Sequence, residues 1–235
     1  MHATLVIVAG TLLLTGNCRA QFKNISGCGD EDIDACGTDF VVFSRSPRLP
    51  EDPVELSKAC EIEMKSLLCA RDYAVRCLEG LAHGAALVSI GTIQEEQEKK
   101  CNADGPGQRT YFEHVQCMNK AGDELHQCVR TFQESLVKTA RYAPSKQRVA
   151  YSCCQYADFY DCTERGLTDY CGRPDTTQHV METIDNLFGN ILSLVCGAYQ
   201  KGSKNCLQLK PLPKINGNEK LPVGFLSPLK DIVRV

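Results

Sequence analysis

The sequence predicts an all-α fold, a disulfide-stapled helical bundle. Apolar residues recur at steps of three and four through most of residues 53–200, and few segments alternate as a strand would. The chain of 235 residues also contains 15 cysteines, a usage typical of secreted domains that are cross-linked by disulfides. Because the chain is also long enough to bury a core, we expect the disulfides to add to a hydrophobic core and not to replace one.

Residues 1–20 are predicted to be a cleaved signal peptide. The run Ala3–Gly16 is apolar but too short to cross a bilayer core of ~30 Å, and Ala20 offers the small residue that signal peptidase accepts. Cleavage removes Cys18 and leaves 14 cysteines, an even number. No later stretch is apolar enough to be a membrane span. We therefore expect a secreted, extracellular protein that begins at Gln21.

The charge of the mature chain argues against two classes of partner. Removing Arg19 leaves 25 Lys and Arg against 29 Asp and Glu, a formal net charge of −4. Without a basic run, nucleic acid and anionic membranes are poor partners. Asn24 begins the sequon Asn-Ile-Ser, so it is the predicted glycosylation site.

All 14 remaining cysteines are expected to form disulfides within the chain. They are Cys28, Cys36, Cys60, Cys69, Cys77, Cys101, Cys117, Cys128, Cys153, Cys154, Cys162, Cys171, Cys196 and Cys206. Four of them, from Cys60 to Cys101, are spaced 9, 8 and 24 apart, and four from Cys153 to Cys196 are spaced 9, 9 and 25 apart. We take the first set to be followed by the pair Cys117 and Cys128, and the second set by Cys206. The spacing is compatible with two pseudo-repeats and equally with coincidence.

Residues 21–52 are predicted to be an irregular, extended N-terminal arm held by its two cysteines. Asp30, Asp32 and Asp34 match the first three ligands of an EF-hand loop. Ala35 and Val41 stand where that loop requires glycine and glutamate, so a solvated acidic arm is the preferred interpretation.

The disulfide-rich helical domain is predicted to span residues 53–206. Asp52 and Pro53 form a capped helix start, and the apolar phase is lost at Arg71-Asp72, which indicates a kink. A small apolar segment, Gly80–Gly91, leads into the solvated helical face Gln94–Lys100.

Residues 102–107 (NADGPG) give the clearest turn signal of the chain. After it, one long helix is predicted through Cys117, Cys128 and Ala140, with both cysteines on the same face. Gly122 should cost this helix ~1 kcal/mol relative to alanine.

A central helix is predicted over residues 145–172, begun by Ser145 and ended by Gly172. Its apolar stripe consists of Val149, Cys153, Tyr156, Tyr160, Thr163, Leu167 and Tyr170. Because its cysteines point in several directions at about 100° per residue, we expect bonds to several neighbouring elements.

The next helix is predicted over Thr176–Tyr199, begun by a capping box of Asp175 and Gln178. No charged residue lies between Asp185 and Lys201, so burial on more than one side is expected. Residues 207–235 contain four prolines and are predicted to form an extended tail. It should pack back on the bundle through Leu221, Phe225 and Leu226.

The pair Cys153-Cys154 precedes Asp158 in the spacing Cys-Cys-x-x-x-Asp. Secreted phospholipases A2 carry Cys-Cys-x-x-His-Asp on a disulfide-tied helix, but Ala157 stands at the histidine position here, so no general base remains there. The histidines are scattered, and oxidised cysteines cannot bind zinc. The sequence predicts no catalytic residue, no metal site and no cofactor.

The cysteine pattern resembles a group of secreted arthropod haemolymph glycoproteins of unknown function, and a related nematode secreted domain. The resemblance covers residues 60–206 and rests on the spacing Cys60…Cys69…Cys77, on the segment 113–128 (EHVQCMNKAGDELHQC), and on Cys153-Cys154…Cys162…Cys171…Cys196. It implies a protein of an extracellular body fluid or a secretory gland, and it supplies no catalytic residues.

Two classes of function remain from the sequence. The first is a non-enzymatic binding protein whose ligand is an apolar small molecule or an extracellular protein. Its predicted pocket is bounded by Tyr156, Tyr160, Leu187, Phe188 and Ile191, because tyrosine hydroxyls at the edge of an apolar cavity would orient an amphipathic ligand. The alternative is a secreted hydrolase built on the degenerate phospholipase-like helix.

Overall fold

The computed structural model describes residues 27–215 and 224–233, and every regular element in these residues is helical. The predicted all-α class is therefore confirmed. The helices are α1 (Asp30–Asp34), α2 (Pro53–Cys77), α3 (Gly80–Cys101), α4 (Pro106–Lys120), α5 (Gly122–Tyr142), α6 (Arg148–Gly166), α7 (Pro174–Cys196), α8 (Lys204–Leu207) and α9 (Leu226–Val233). The signal peptide, Asn24 and Leu221 lie outside the described residues.

Seven disulfides pair the 14 cysteines of the described residues. They are Cys28–Cys77, Cys36–Cys69, Cys60–Cys101, Cys117–Cys171, Cys128–Cys162, Cys153–Cys196 and Cys154–Cys206. The first three lie within residues 28–101 and the other four within residues 117–206. None of these disulfides therefore joins the first half of the described chain to the second.

The disulfides repeat one pattern, which favours the pseudo-repeat interpretation. Each half has six matching cysteines, and Cys154 and Cys206 are additional in the second half. In both halves the first cysteine bonds to the fifth, the second to the fourth, and the third to the sixth. Cys117 and Cys128 thus open the second half, as Cys28 and Cys36 open the first, which corrects the expectation that they follow the first set.

The helices match in the same way. Helix α2 ends at Cys77 and α3 ends at Cys101, while the central helix ends at Cys171 and α7 ends at Cys196. The second half has one extra residue before its fifth cysteine, since Cys162 and Cys171 are 9 apart where the first-half pair is 8 apart. The chain takes up this residue as a π-helical turn, Leu167–Cys171, the usual form of a single insertion in an α-helix.

The central helix is confirmed over most of its predicted length, although it is built from three types of turn. A 3₁₀ turn at Ser145–Gln147 precedes α6, the π turn follows it, and Gly172 ends the helix in the left-handed region at φ 71°. Its cysteines bond to α4, α5, α7 and α8, as expected for a central element. Tyr170 is 59% exposed and leaves the predicted stripe, because the π turn changes the helical phase.

Each half has its own hydrophobic core. The first-half core contains Phe40, Leu67, Ala70, Ala74 and Ile90. The second-half core is larger and contains Leu125, Val129, Leu136, Leu167 and Met181, with Phe43, Phe225 and Ile232 from the two ends of the described chain. Val41 is packed against both cores, so the N-terminal arm connects them.

The N-terminal arm therefore differs from the solvated, extended segment that was predicted. It begins with the short helix α1 and buries Ile33, Phe40 and Phe43. The three aspartates of the EF-hand-like run lie on α1 itself, where Asp30 forms an ion pair with Lys230 and Asp32 accepts a hydrogen bond from the Gly29 N–H. The arm is a structural part of both halves.

Three predictions about helix continuity and ends are wrong. Helix α2 runs without interruption through Arg71-Asp72, since those polar residues lie on its exposed face. The predicted long helix breaks at Ala121 into α4 and α5. The expected capping box is absent, because Asp175 pairs with Arg173 and Gln178 hydrogen-bonds to Glu182.

Helix α7 is less buried than its uncharged sequence suggested. Of its side chains that the structure describes, Leu187 and Phe188 are half-buried and Val195 is 46% exposed. The C-terminal tail, predicted over residues 207–235, is also not simply extended, since it contains α9. Phe225 is buried and Leu226 is packed against the first-half core, which confirms that the tail folds back on the bundle.

Candidate functional site

Six aromatic rings from four parts of the fold meet on one side of the second half. We call Phe132, Tyr156, Phe159, Tyr160, Phe188 and Phe225 the aromatic cluster. Tyr156 lies at its centre, with ring centroids 6.2 Å from Phe132 and Tyr160 and 6.4 Å from Phe188. Apart from Phe225, the rings are only half-buried. The cluster is therefore a partly accessible aromatic surface and not a sealed core.

One polar contact lies at the edge of the aromatic cluster. The Tyr160 hydroxyl of α6 donates a hydrogen bond to Oδ2 of Asp185 on α7, at 3.0 Å. Burial, followed by this hydrogen bond, raises the pKa of Tyr160 to about 12. Burial also raises the pKa of Tyr156, with the charge of Asp185 as a second cause. Both hydroxyls therefore stay protonated at neutral pH, and that of Tyr160 donates to Asp185.

Asp185 also lines a cleft of about 440 Å³ between the end of the central helix and α7. We call this the acidic cleft. Its lining consists of Glu164, Thr168, Gly172, Arg173, Pro174, Thr177, Gln178, Met181, Glu182 and Asp185. Met181 is buried and provides an apolar floor. Arg173, the one cation in this lining, is already paired with Asp175, so three carboxylates without a matching cation dominate the field.

The structure brings together most of the predicted pocket, but in a different form. Tyr156, Tyr160 and Phe188 meet in the aromatic cluster, and Leu187 is half-buried beside Phe188 on α7. The side chain of Ile191 lies outside the described residues. None of the other four predicted pocket residues lines the acidic cleft, which is linked to the tyrosines through the hydrogen bond between Tyr160 and Asp185.

Sequence reasoning missed Phe132 and Asp185. Phe132 lies on the helix that was predicted through Cys117, Cys128 and Ala140, and the sequence does not show its distance from the central helix. Asp185 carried a signal, since it is the last charge before an uncharged stretch of α7. A lone carboxylate that borders such a stretch is a candidate head-group ligand.

The phospholipase-like position is now placed on α6. Cys153 and Cys154 are both in disulfides, and Asp158, beside Ala157, is exposed. The two cysteines therefore cross-link the central helix to α7 and α8. Ala157, and not a histidine, stands immediately before Asp158, so the phospholipase-like position has no general base.

A second group with catalytic residue types joins α4 and α7. The rings of His114 and His179 are stacked with centroids 4.4 Å apart, and Nδ1 of His114 lies 3.0 Å from the Thr176 hydroxyl oxygen. Burial, followed by the neighbouring His114 ring, lowers the pKa of His179. Thr176 is fully buried, so a substrate could not reach its hydroxyl. The group packs the helices together instead of forming a nucleophilic dyad.

Two clusters of metal-ligand residue types occur in the described part of the chain. They are Cys60, Glu63 and Cys101, and Glu124, Cys128 and Cys162. In each cluster the two cysteines are bonded to each other, so neither can supply a thiolate. Glu63 is in turn paired with Lys100 at 2.6 Å.

The fold and the site define an all-α, cysteine-rich protein with an aromatic surface beside an acidic cleft. Within residues 27–215 and 224–233, no helix combines the length and apolar character that crossing a bilayer requires. The chain matches no protein-family model, no curated protein and no solved structure.

Proposed function

We propose that this chain is a secreted, non-enzymatic binding protein for an amphipathic small molecule with an apolar body and a cationic head group. The observation that carries the proposal is the hydrogen bond between Tyr160 and Asp185. It joins the half-buried aromatic cluster to the acidic cleft, so an apolar surface and a negative field meet at one point. Ligand sites typically combine an apolar wall with a few such polar groups.

The sign of the charge selects the ligand class. Glu164, Glu182 and Asp185 face the cleft, and a carboxylate ligand would meet like charges there. A protonated amine would lie over these carboxylates while its hydrocarbon part contacts Met181 and the aromatic rings. Aromatic faces also attract cations, by ~0.5–1 kcal/mol at exposed sites.

Paired ligands of equal chain length test the proposal. Dodecylamine and dodecanoate, both below their micelle concentrations, are titrated at pH 7 into the protein, and tyrosine emission is followed. The signal is usable because the chain has 8 tyrosines and no tryptophan. We expect the amine to bind at micromolar concentration and the carboxylate at least tenfold more weakly. Equal binding of the two, or none, contradicts the proposal.

Substitutions place the binding on named residues. Asp185→Asn should weaken amine binding up to about fivefold, because an exposed ion pair contributes about 0.2–1 kcal/mol. Phe188→Ala should weaken both ligands through lost apolar contact. The matched control is Tyr170→Phe, which alters an exposed tyrosine outside the aromatic cluster and should change neither affinity.

Secretion is part of the proposal and rests on cysteine use. Seven disulfides are typical of proteins that fold in an oxidising compartment, and the predicted signal peptide and the resemblance to haemolymph glycoproteins agree with it. Expression in insect cells should release a chain that begins at Gln21 and is glycosylated at Asn24. Intact mass of the medium protein, before and after deglycosylation, checks both sites. Retention of Cys18 would contradict the cleavage site.

A further inference from the structure

Helix α2 carries an open groove on its outer face. The groove has a volume of about 490 Å³ and is lined by Ser57, Cys60, Glu61, Met64, Lys65, Leu68 and Cys101. Leu68 is 45% exposed, and the Cys60–Cys101 disulfide forms part of the wall. Neither Glu61 nor Lys65 has an ion-pair partner among the described residues. The first half therefore presents an apolar groove with one free charge of each sign.

The matching position in the second half is not open. The cysteine register places Glu61 opposite Cys154 and Leu68 opposite Asp161, each 93 positions apart. Cys154 is bonded to Cys206 on α8, and Asp161 forms an ion pair with Lys201. Further along, the Tyr151 hydroxyl donates a hydrogen bond to the Lys210 carbonyl at 2.7 Å. The segment after α7 thus turns back and covers this face of α6.

The first half has no such segment, because the chain after α3 continues through a turn into α4. Among residues 27–215 and 224–233, the same face of the same repeat is therefore covered in one copy and bare in the other. We propose that the α2 groove is a docking site for a short helical segment of a partner protein, which lies there as residues 199–210 lie on α6. This inference is independent of the proposed small-molecule function.

The differences between the two copies define the partner's chemistry. Where α8 presents Cys206 to Cys154, the partner must present a basic residue to Glu61. Leu68 stands where the second half has Asp161, the residue that pairs with Lys201. At the position of Lys201 the partner must therefore present an aliphatic residue, which would contact Leu68 and Met64. The required motif is an aliphatic residue followed five positions later by a basic one. A segment this short buries little area, so the contact is weak and exchangeable.

A peptide made from the chain itself is the probe. It comprises residues 198–210 (AYQKGSKNCLQLK) with Lys201→Leu and Cys206→Arg, and it is titrated into the full mature protein by NMR or calorimetry. We expect a dissociation constant below 1 mM. Leu68→Ala should weaken binding about tenfold through lost apolar contact. The control Ile62→Ala removes an apolar side chain that is 53% exposed and does not line the groove, and it should leave the affinity unchanged.

A charge exchange tests the register directly. Glu61→Lys should weaken binding of this peptide at least threefold and should strengthen binding of the peptide that carries Cys206→Glu instead. Glu61→Lys and Leu68→Ala both change exposed residues, so the fold should persist in both variants. Absence of peptide binding, equal effects of Leu68→Ala and Ile62→Ala, or no response to the charge exchange would overturn the proposal. So would a wild-type dimer that Leu68→Ala dissociates, because a second copy would then be the occupant.

Discussion

Gly122, the first residue of α5, lies against the carbonyl oxygen of Pro47 in the N-terminal arm, so closely that a Cβ on Gly122 would overlap that oxygen. The contact is reinforced nearby, since Asn119 accepts a hydrogen bond from the Leu49 N–H at 2.8 Å and donates one to the Leu49 carbonyl at 3.0 Å. The arm is thereby held at the junction where α4 ends and α5 begins.

Gly122→Ala should therefore destabilise the protein. A methyl group in that position forces the arm away from α5, and strain of this kind typically costs about 1–3 kcal/mol. Denaturant unfolding followed by circular dichroism measures the change. The control is Gly84→Ala in α3, where nothing lies within 4 Å of the added Cβ. That variant should be more stable by about 0.4–1 kcal/mol, and a stabilised Gly122→Ala would contradict the close contact.

Phe225→Ala should lower the free energy of unfolding by about 3 kcal/mol, as expected when a buried phenylalanine is truncated in a packed core. Phe225 is 9% exposed and lies 6.1 Å from Phe132, between ring centroids, so it attaches the C-terminal segment to the aromatic cluster. Urea unfolding measures the loss. Leu229→Ala, in the more exposed part of α9, should change stability by less than about 0.5 kcal/mol. Similar losses in both variants would show that Phe225 is not an anchor.

The stacked pair of His114 and His179 should make stability depend on pH. Because the pKa of His179 is lowered in the folded protein, the unfolded chain, with a histidine pKa near about 6.5, binds more protons below that pH. The contribution of His179 to the free energy of unfolding is complete above the histidine pKa of the unfolded chain. This contribution is lost as the pH falls through that pKa. Glu96, Glu113 and Glu182 face the pair from α3, α4 and α7 and oppose this shift, with smaller effects than burial.

The measurement is the free energy of unfolding of the wild type and of His179→Gln between about pH 7 and pH 5. The wild type should lose stability toward the acidic end, and the variant should lose less. Parallel curves for the wild type and His179→Gln would contradict the prediction.

The helical class, the central position of the 145–172 helix and the participation of all 14 cysteines were predictable, because they depend on local periodicity and on an even cysteine count. The disulfide partners were not, since 14 cysteines allow more than about 10⁵ pairings. The spacing of eight cysteines was compatible with a repeat and equally with coincidence, and the disulfide partners favour the repeat. Its correct boundary required the bonds of Cys117 and Cys128.

The errors have a common origin in contacts between distant parts of the chain. The break at Ala121 follows from the passage of Pro47, and the exposure of Tyr170 follows from a π turn of one extra residue. The exposure of α7 could not be inferred from its lack of charge, because the absence of charged residues does not show how much of a helix surface neighbouring elements cover. The acidic cleft depended on Asp185 reaching Tyr160, which are 25 positions apart.

The separation of the disulfides into two sets bears on how the chain matures during synthesis. On secretion, which is part of the proposed function, the six cysteines of the first half enter the oxidising compartment before any cysteine of the second half, so their three bonds can form first. Six cysteines then choose among about 15 arrangements and the later eight among about 105. The number of possible disulfide pairings therefore falls from more than about 10⁵ to roughly 1,600. The order of synthesis thus reduces the number of wrong disulfide pairings that can form. Exchanging the order of the two halves in the gene should preserve this reduction, whereas interleaving the cysteines of the two halves should remove it.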